Sequence, residues 1–490
     1  MTARAELNTL EASGLLQIAA LQPELEYLFR HALVQDAAYG SLLKQDRRTL
    51  HRAAADTLLS LYPERRSELA AVLAMHFEQA GDAAQAAQYL LLAGEHALER
   101  FANREAVAFF ERAGTLADDS QGDLRLRAAV GGARAGWTYN EAGHDVERLE
   151  RALARADGAD RRLLADAYFW VAFLRRQRGE VPESSPALKL ALERGAQISE
   201  ALGDPNAGAL PKAFMGSFMA FTGHLREGAR AMSEALDTIE AQADPSSAAI
   251  VSDFLAMTYA RLGEFPEAEA ALARSQRLAG HSGDEISRVD VLIAGAAIHL
   301  ERGDLDEASA MSLECATRAE ELGAFACVVA SNVLFGSARL AMDDAPTAKA
   351  PLERGSELSL VTNMAPMRTL TQGLLGSVRA RLGDMPGGAA GWNDALAGAR
   401  AMSDRFGEAQ TLWGRARTYA RQETPDWTAA LRDLDTAIAL FEAMGTRPAL
   451  ARALRDRAQA LRALGRTDEA QDADRRSHEL GVELGLKGLS

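Results

Sequence analysis

The side chains able to do chemistry are present in this chain but dispersed. Zinc-dependent hydrolysis needs two histidines one helical turn apart with a glutamate between them, and no HExxH run occurs. His76, His96, His144, His224, His281 and His299 are scattered instead, with no tight His/Cys/Asp cluster to hold a metal ion. No GxSxG elbow presents a serine nucleophile. No G-x-x-x-x-G-K-[ST] loop cradles phosphates with its backbone amides. Cys315 and Cys327 form no CxxC pair and read as small, reduced, buried residues. The glutamates recur in runs such as GEFPEAEA, where negative charge favours helix starts. The expectation is a protein that is not an enzyme and carries no cofactor and no metal.

What remains are candidates for binding. Phe214, Met215, Phe218, Met219 and Phe221 make one dense apolar stretch, and Tyr168, Phe169, Trp170 and Phe173 make another. Helical spacing makes such residues core, or else a groove for a partner helix or peptide. Arg175, Arg176 and Arg178 cluster near a helix end, where cations complement the helix dipole.

These residues must be positioned by helices. The chain has 490 residues, too many for one compact core, with 48% apolar and 25% charged residues. Alanine, leucine, arginine and glutamate dominate, all good helix formers. The formal net charge of −15 opposes binding to nucleic acid and to anionic membranes. The stretch MTARAELNTLEASGLL does not read as a signal peptide, and the longest apolar run, VLIAGAAIHL, falls short of the roughly 20 residues of a membrane span. A cytoplasmic location is expected.

The organising signal is a repeat. RLGEFPEAEAAL (261–272), ERGDLDEASAMS (301–312) and AMDDAPTAKAPL (341–352) carry the same punctuation 40 residues apart. A small residue recurs at Gly228, Ala268, Ala308, Ala348, Gly388, Ala430 and Ala470, with looser copies upstream from Gly81, Gly143 and Gly179. Gly179, Gly223, Gly263, Gly303, Gly383 and Gly465 stop one helix of each pair. Pro182, Pro266, Pro346 and Pro386 follow by three, in the first turn of the next helix, where no amide donor is needed. The second helix ends near Ala243, Gly283, Gly323, Asn363, Ser403, Gly445 and Gly485. Seven residues before each stop lie Gly216, Ala256, Ala296, Gly336, Gly376, Ala416 and Ala458, all small, where two helices would cross. Each unit is therefore a pair of antiparallel helices.

This pattern resembles the tetratricopeptide repeat, with a period longer than that family's roughly 34 residues. The fold class it implies is all-α: a tetratricopeptide-like α-solenoid, a right-handed superhelix of antiparallel helix pairs with a period of about 40. The resemblance places Asp253 and Met257, Ile293 and Ala297, Val333 and Ser337, and Gly373 and Ser377 on the inner groove, with Phe214 and Phe218 as further candidates. These are small or apolar, and the lysine/asparagine clamp that grips a peptide carboxylate is missing. A mixed or apolar ligand is expected rather than an acidic tail.

The first residues differ. LLQIAAL, QPE and LEYLF read as a β-hairpin with a proline-bearing turn, preceded by the helix AELNTLEASG. Helix plus hairpin suggests that residues 1–45 are the end of a winged-helix domain and residues 46–490 the repeat superhelix. YLFRHALVQDAAYGSLLKQDRRTLHRAAADTL, followed by LAMHFEQAGDAAQAAQYLLLAGEHA, resembles a junction in bacterial signal-transduction ATPases of the STAND class, of the adenylate-cyclase/kinase-associated type. ALFEAMGTRPALARALRDRAQALRALGRTDEA resembles the ends of their arms. The family's P-loop and cyclase or kinase region are absent from this sequence.

The resemblance implies a non-catalytic sensor or protein-interaction arm, with a protein or peptide partner, a small effector, or a nucleotide-binding module supplied by the same full-length protein or a neighbour. Neither nucleic acid nor membrane is implied as a partner. It also implies that His31, with Arg30, stands where related ATPases contact a nucleotide's phosphate, a role that needs such a module. A structural or capping histidine is the alternative. The alternative function is a stand-alone receptor that uses the solenoid groove for a small molecule or peptide.

Overall fold

The architecture was obtained from a computed structural model that describes residues 3–20, 26–118, 120–137, 142–156, 158–204, 208–242 and 244–489. Helix α1 (Ala3–Ala12) leads into an antiparallel hairpin of β1 (Leu16–Ala20) and β2 (Glu26–Phe29). Leu16 pairs with Phe29 and Ile18 with Tyr27. The proline-bearing turn expected between the strands lies outside the described residues. Then come α2 (Ala32–Ser41), α3 (Lys44–Leu61) and α4 (Ala70–Ala80).

Helix pairs fill the rest of the chain. They are α5 (Ala83–Glu99) with α6 (Asn103–Leu116), α7 (Gly122–Gly136) with α8 (Ala142–Leu153), and α9 (Arg161–Gln177) with α10 (Pro186–Leu202). Next are α11 (Ala209–Phe221) with α12 (Leu225–Ala241), α13 (Pro245–Leu262) with α14 (Phe265–Ser282), and α15 (Glu285–Arg302) with α16 (Leu305–Leu322). The array closes with α17 (Phe325–Ala341) and α18 (Ala345–Val361), α19 (Ala365–Arg381) and α20 (Met385–Ala401), α21 (Arg405–Tyr419) and α22 (Trp427–Met444), and α23 (Arg447–Ala463) and α24 (Thr467–Leu484). The chain is an all-α solenoid of the tetratricopeptide-like kind.

The expected punctuation is built as left-handed backbone. Gly263 has φ +80° and Gly303 +91°, and in the next unit Asp343 takes the same role at +66°. Between units, Asn363 at +50° and Ser403 at +56° stand where other units have glycine. Ala243 lies outside the described residues. Pro266, Pro346 and Pro386 each occupy the first turn of a helix. Pro182 does not. It sits in the turn, and α10 is opened by Pro186 behind Ser185, whose hydroxyl accepts the Leu188 amide at 3.2 Å. Gly143 also departs from the reading, because α8 already begins at Ala142.

The small residues mark helix crossings. Ala256, Ala268, Ala296, Ala308, Ala348, Ala416 and Ala458 are fully buried. At Gly376 an added Cβ would stand 2.7 Å from Trp392 and 2.9 Å from the Gly388 carbonyl, so only glycine fits.

The odd-numbered helices pack on one another along the inside, from α5 through α21, and their even-numbered partners form the outer layer. The superhelix then meets itself. Five units beyond α11, the Arg405 amide donates to the Thr222 carbonyl at 3.3 Å. The Lys487 amide donates to the Arg302 carbonyl at 3.0 Å, and α23 packs on α13 and α15. Arg261 bridges two turns with its guanidinium 4.1 Å from the Phe406 ring and 5.3 Å from Phe221.

Candidate functional site

Closure of the superhelix leaves a partly open cavity of about 510 Å³ along the inner helices. Its wall is the 40-residue period made visible. One rung is Ile250, Asp290, Ala330, Leu370 and Gln410. One helical turn on, the second is Asp253, Ile293, Val333, Gly373 and Trp413. The third is Met257, Ala297, Ser337, Ser377 and Arg417, and the fourth Phe221, Arg261, Glu301, Ala341 and Arg381. Residues 40 apart reach the same rung because each unit repeats the last with a small rotation.

The inner-groove residues chosen from sequence thus fall on the wall: Asp253, Met257, Ile293, Val333 and Phe218 all line it. Phe214 does not. It is 3% exposed and packs behind the wall in an aromatic cluster, 5.3 Å from Phe173 and 6.0 Å from Trp137. The cluster also takes in Phe169 and Trp170, so these stretches are core, with Phe173, Phe218 and Phe221 reaching the cavity edge.

The wall is mixed, with acids and arginines beside the small and apolar residues expected there. Asp253 is 1% exposed, and among the described residues neither carboxylate oxygen accepts a well-directed hydrogen bond. Burial raises its pKa well above the usual carboxylate value; the neighbouring Asp290 charge adds to this, and Ser275 offsets only part. Asp290 is pushed up to about 7, by burial above all, although the Cys327 thiol donates to it at 3.3 Å. Cys327 and Cys315 are free and buried, and burial pushes the Cys315 thiol up to about 12. Thiols so far from ionisation are poor nucleophiles.

Cations gather at the other end of the inner helices. The Arg381 side chain is 8% exposed. It donates to the Leu340 carbonyl at 3.1 Å and to Asp343 at 3.0 Å, while its Nε has no partner among the described residues. Arg417 Nε is likewise unpartnered, 3.7 Å from Asp456 and so beyond hydrogen-bond reach. Glu301 is neutralised from the facing turn by Arg452 at 3.7 Å, which also donates to the Glu301 carbonyl at 2.6 Å. Sequence reasoning missed these arginines because a cation in the last turn of a helix reads as a dipole partner. Arg452 reaches Glu301 only through the closure.

The other singled-out residues lie away from the cavity. His31 precedes α2 with φ −133°, is exposed, and makes no side-chain cap; Arg30 beside it is exposed too. Arg175 pairs with Glu150 and Glu180, and Arg178 with Glu147, which makes that cluster structural. The His144 side chain lies outside the described residues. His76 has a neighbour unseen in the sequence: its Nδ1 is 2.9 Å from Nδ1 of His51, whose Nε2 meets the Tyr39 hydroxyl at 3.0 Å. Burial and the His51 charge lower the His76 pKa. Among the described residues no three His, Cys, Asp or Glu side chains are grouped to hold a metal, and no helix is long and apolar enough to cross a membrane.

No protein-family model matches the sequence, and no curated protein does. Solved structures do. The APC/C hetero-tetramer Cut9-Hcn1 gives a TM-score of 0.51 at 13% identity over 92% of this chain and 88% of that chain. A STAND protein with a tetratricopeptide repeat sensor from Pyrococcus horikoshii gives 0.48 at 15% identity, over 82% of this chain and 59% of that one. A Rap protein complexed with Competence and Sporulation Factor gives 0.48 at 12% identity, over 81% and 98%. At such identities the likeness is one of fold, and the fold is the tetratricopeptide-like α-solenoid.

Proposed function

We propose that this chain is a non-catalytic sensor arm that holds an effector inside its superhelix and passes its occupancy to a signalling module. The observation that carries this reading is the cavity. Its volume falls within the roughly 300–1,000 Å³ of ordinary ligand pockets. Asp253, Arg381 and Arg417 line it, each with a buried polar atom that makes no hydrogen bond among the described residues, at a cost in stability.

The module in this reading is a STAND-type ATPase of the adenylate-cyclase/kinase-associated type, on the strength of the junction sequence over residues 27–58. Residues 1–45 are then the end of its winged-helix domain, with His31 and Arg30 turned toward the nucleotide module and 46–490 as the arm. An observation favours the arm over a stand-alone receptor. Large apolar side chains stand in water around the first helices, with Leu33 82% and Leu43 72% exposed. A partner module would cover them.

The test is a thermal-shift screen of the full chain with pooled metabolites and pooled short peptides, run beside Ser337→Trp, which fills the third rung. A ligand at about 100 times its Kd adds about 2.7 kcal/mol to the folded state. The expected result is a pool that raises the melting temperature of the parent and not of Ser337→Trp, the latter melting normally without ligand. Equal shifts in both would place the ligand elsewhere, and no shift from any pool would contradict the reading.

A further inference from the structure

The cavity has two poles of opposite sign, each with a buried group left unsatisfied. At one pole Asp253, 1% exposed, accepts no well-directed hydrogen bond among the described residues although Ser275 stands beside it, and Asp290 is on the adjoining rung. Two neighbouring carboxylates in a water-poor site repel each other, and a cation between them removes that repulsion. At the other pole Arg381 and Arg417 each keep an Nε without a hydrogen bond among the described residues, and the acids they pair with, Asp343 and Asp456, are shared with other groups. Glu301 is held by Arg452, and Asp456 accepts from the Trp413 indole at 2.8 Å. Arg381 has one counter-ion, the exposed Asp343, which it shares with Arg421, and burial with the Arg417 and Arg421 charges lowers its pKa to about 10.

Between the poles the wall is neutral, formed by Ile293, Val333, Ala297 and Ser337. Three periods of 40 place Arg381 on the rung of Arg261, two helical turns beyond Asp253, about 12 Å along the helix direction. The offset across three units adds to this.

We infer that the cavity takes a short unmodified peptide, its terminal ammonium against Asp253 and Asp290 and its terminal carboxylate against Arg381 and Arg417. This rests on the reading of the cavity as an effector site. An extended chain advances about 3.3–3.6 Å per residue, so the span calls for about four to six residues. Each terminus forms charge-assisted hydrogen bonds with side chains of opposite sign on the cavity wall. Reversal would set carboxylate against carboxylate, so orientation is fixed by repulsion as well as attraction. The neutral rungs accept small or apolar side chains in the middle of the peptide.

The experiment compares random tetra- to hexapeptide pools with both termini free, with the N-terminus acetylated, with the C-terminus amidated, and with both blocked. Spermidine serves as an amine-only probe. Binding is read by thermal shift and calorimetry on the full chain. The free pool is expected to bind, and each block to weaken binding at least tenfold. In Asp253→Asn the acetylated and free pools become equivalent; in Arg381→Gln the amidated and free pools do. Asp290→Asn and Arg417→Gln serve if either of those fails to fold. Equal binding of free and blocked pools would overturn the inference, as would spermidine binding as tightly as the free pool, or no binding by any peptide. If metabolites alone stabilise the parent and not Ser337→Trp, the effector site stands and the peptide falls. If nothing stabilises the chain, both fall.

Discussion

Asp253 is the residue on which the account turns. A buried carboxylate without a hydrogen-bond partner destabilises the fold that holds it, and a group kept only for packing would have a better substitute. Asp253→Asn is therefore expected to raise the melting temperature of the unliganded chain; a lower one would assign Asp253 a structural role. Asp290 makes a sharper, pH-dependent case. Its pKa rises from 3.8 to about 7 on folding, with Asp253, Asp284 and Cys327 facing it. The folded state thus holds this proton more tightly than the unfolded state. The stability linked to Asp290 is full below pH 4, falls as pH rises from about 4 to about 7, and is level above. Asp290→Asn should match the parent near pH 4 and exceed it near pH 7.5 by on the order of 4 kcal/mol, read from urea midpoints. A difference independent of pH would rule out the shifted carboxylate. Of these two residues, only Asp253 was legible in the sequence, where repeat register places it on the inner face. Asp290 looks like one more surface acid until the neighbouring inner helices half-bury it.

The helix pair is the unit of stability. Ala308 is fully buried where α16 crosses its partner, and Glu307 beside it is exposed. Ala308→Leu should overpack the crossing and cost about 1–3 kcal/mol, and Glu307→Leu far less. Hydrogen exchange in Ala308→Leu should lose protection first across roughly residues 265–365, because each unit leans on its neighbours. Equal tolerance of both substitutions would mean the register is wrong. This level of structure was the most legible, since glycine stops, small crossing residues and first-turn prolines each answer a local steric demand. Pro182 misled because a second proline four residues on, behind a serine cap, made the better helix start. The His51–His76 pair was hidden because it joins two helices whose packing no local pattern announces.

At the scale of the whole molecule, the closing of one superhelical turn on another decides what the inside can do. In an open array Glu301 and residue 452 would be strangers; here Arg452 neutralises Glu301 and donates to its carbonyl. Arg452→Ala should cost about 2–4 kcal/mol, since it leaves a buried acid short of its counter-charge. It should also raise exchange at the C-terminal ends of α13 and α15, far away in sequence. A change confined to α21–α24 would mean the turns do not hold each other. The cationic pole was illegible partly for the same reason: its buried acid Glu301 is matched across turns, and sequence carries no register between turns. The measurement that bears most directly on the central claim is hydrogen exchange of the full chain with and without the free-terminus peptide pool. The account predicts new protection along the inner helices α13, α15, α17 and α19, with their outer partners unchanged. Protection on the even-numbered helices, or none along the inner row, would contradict it.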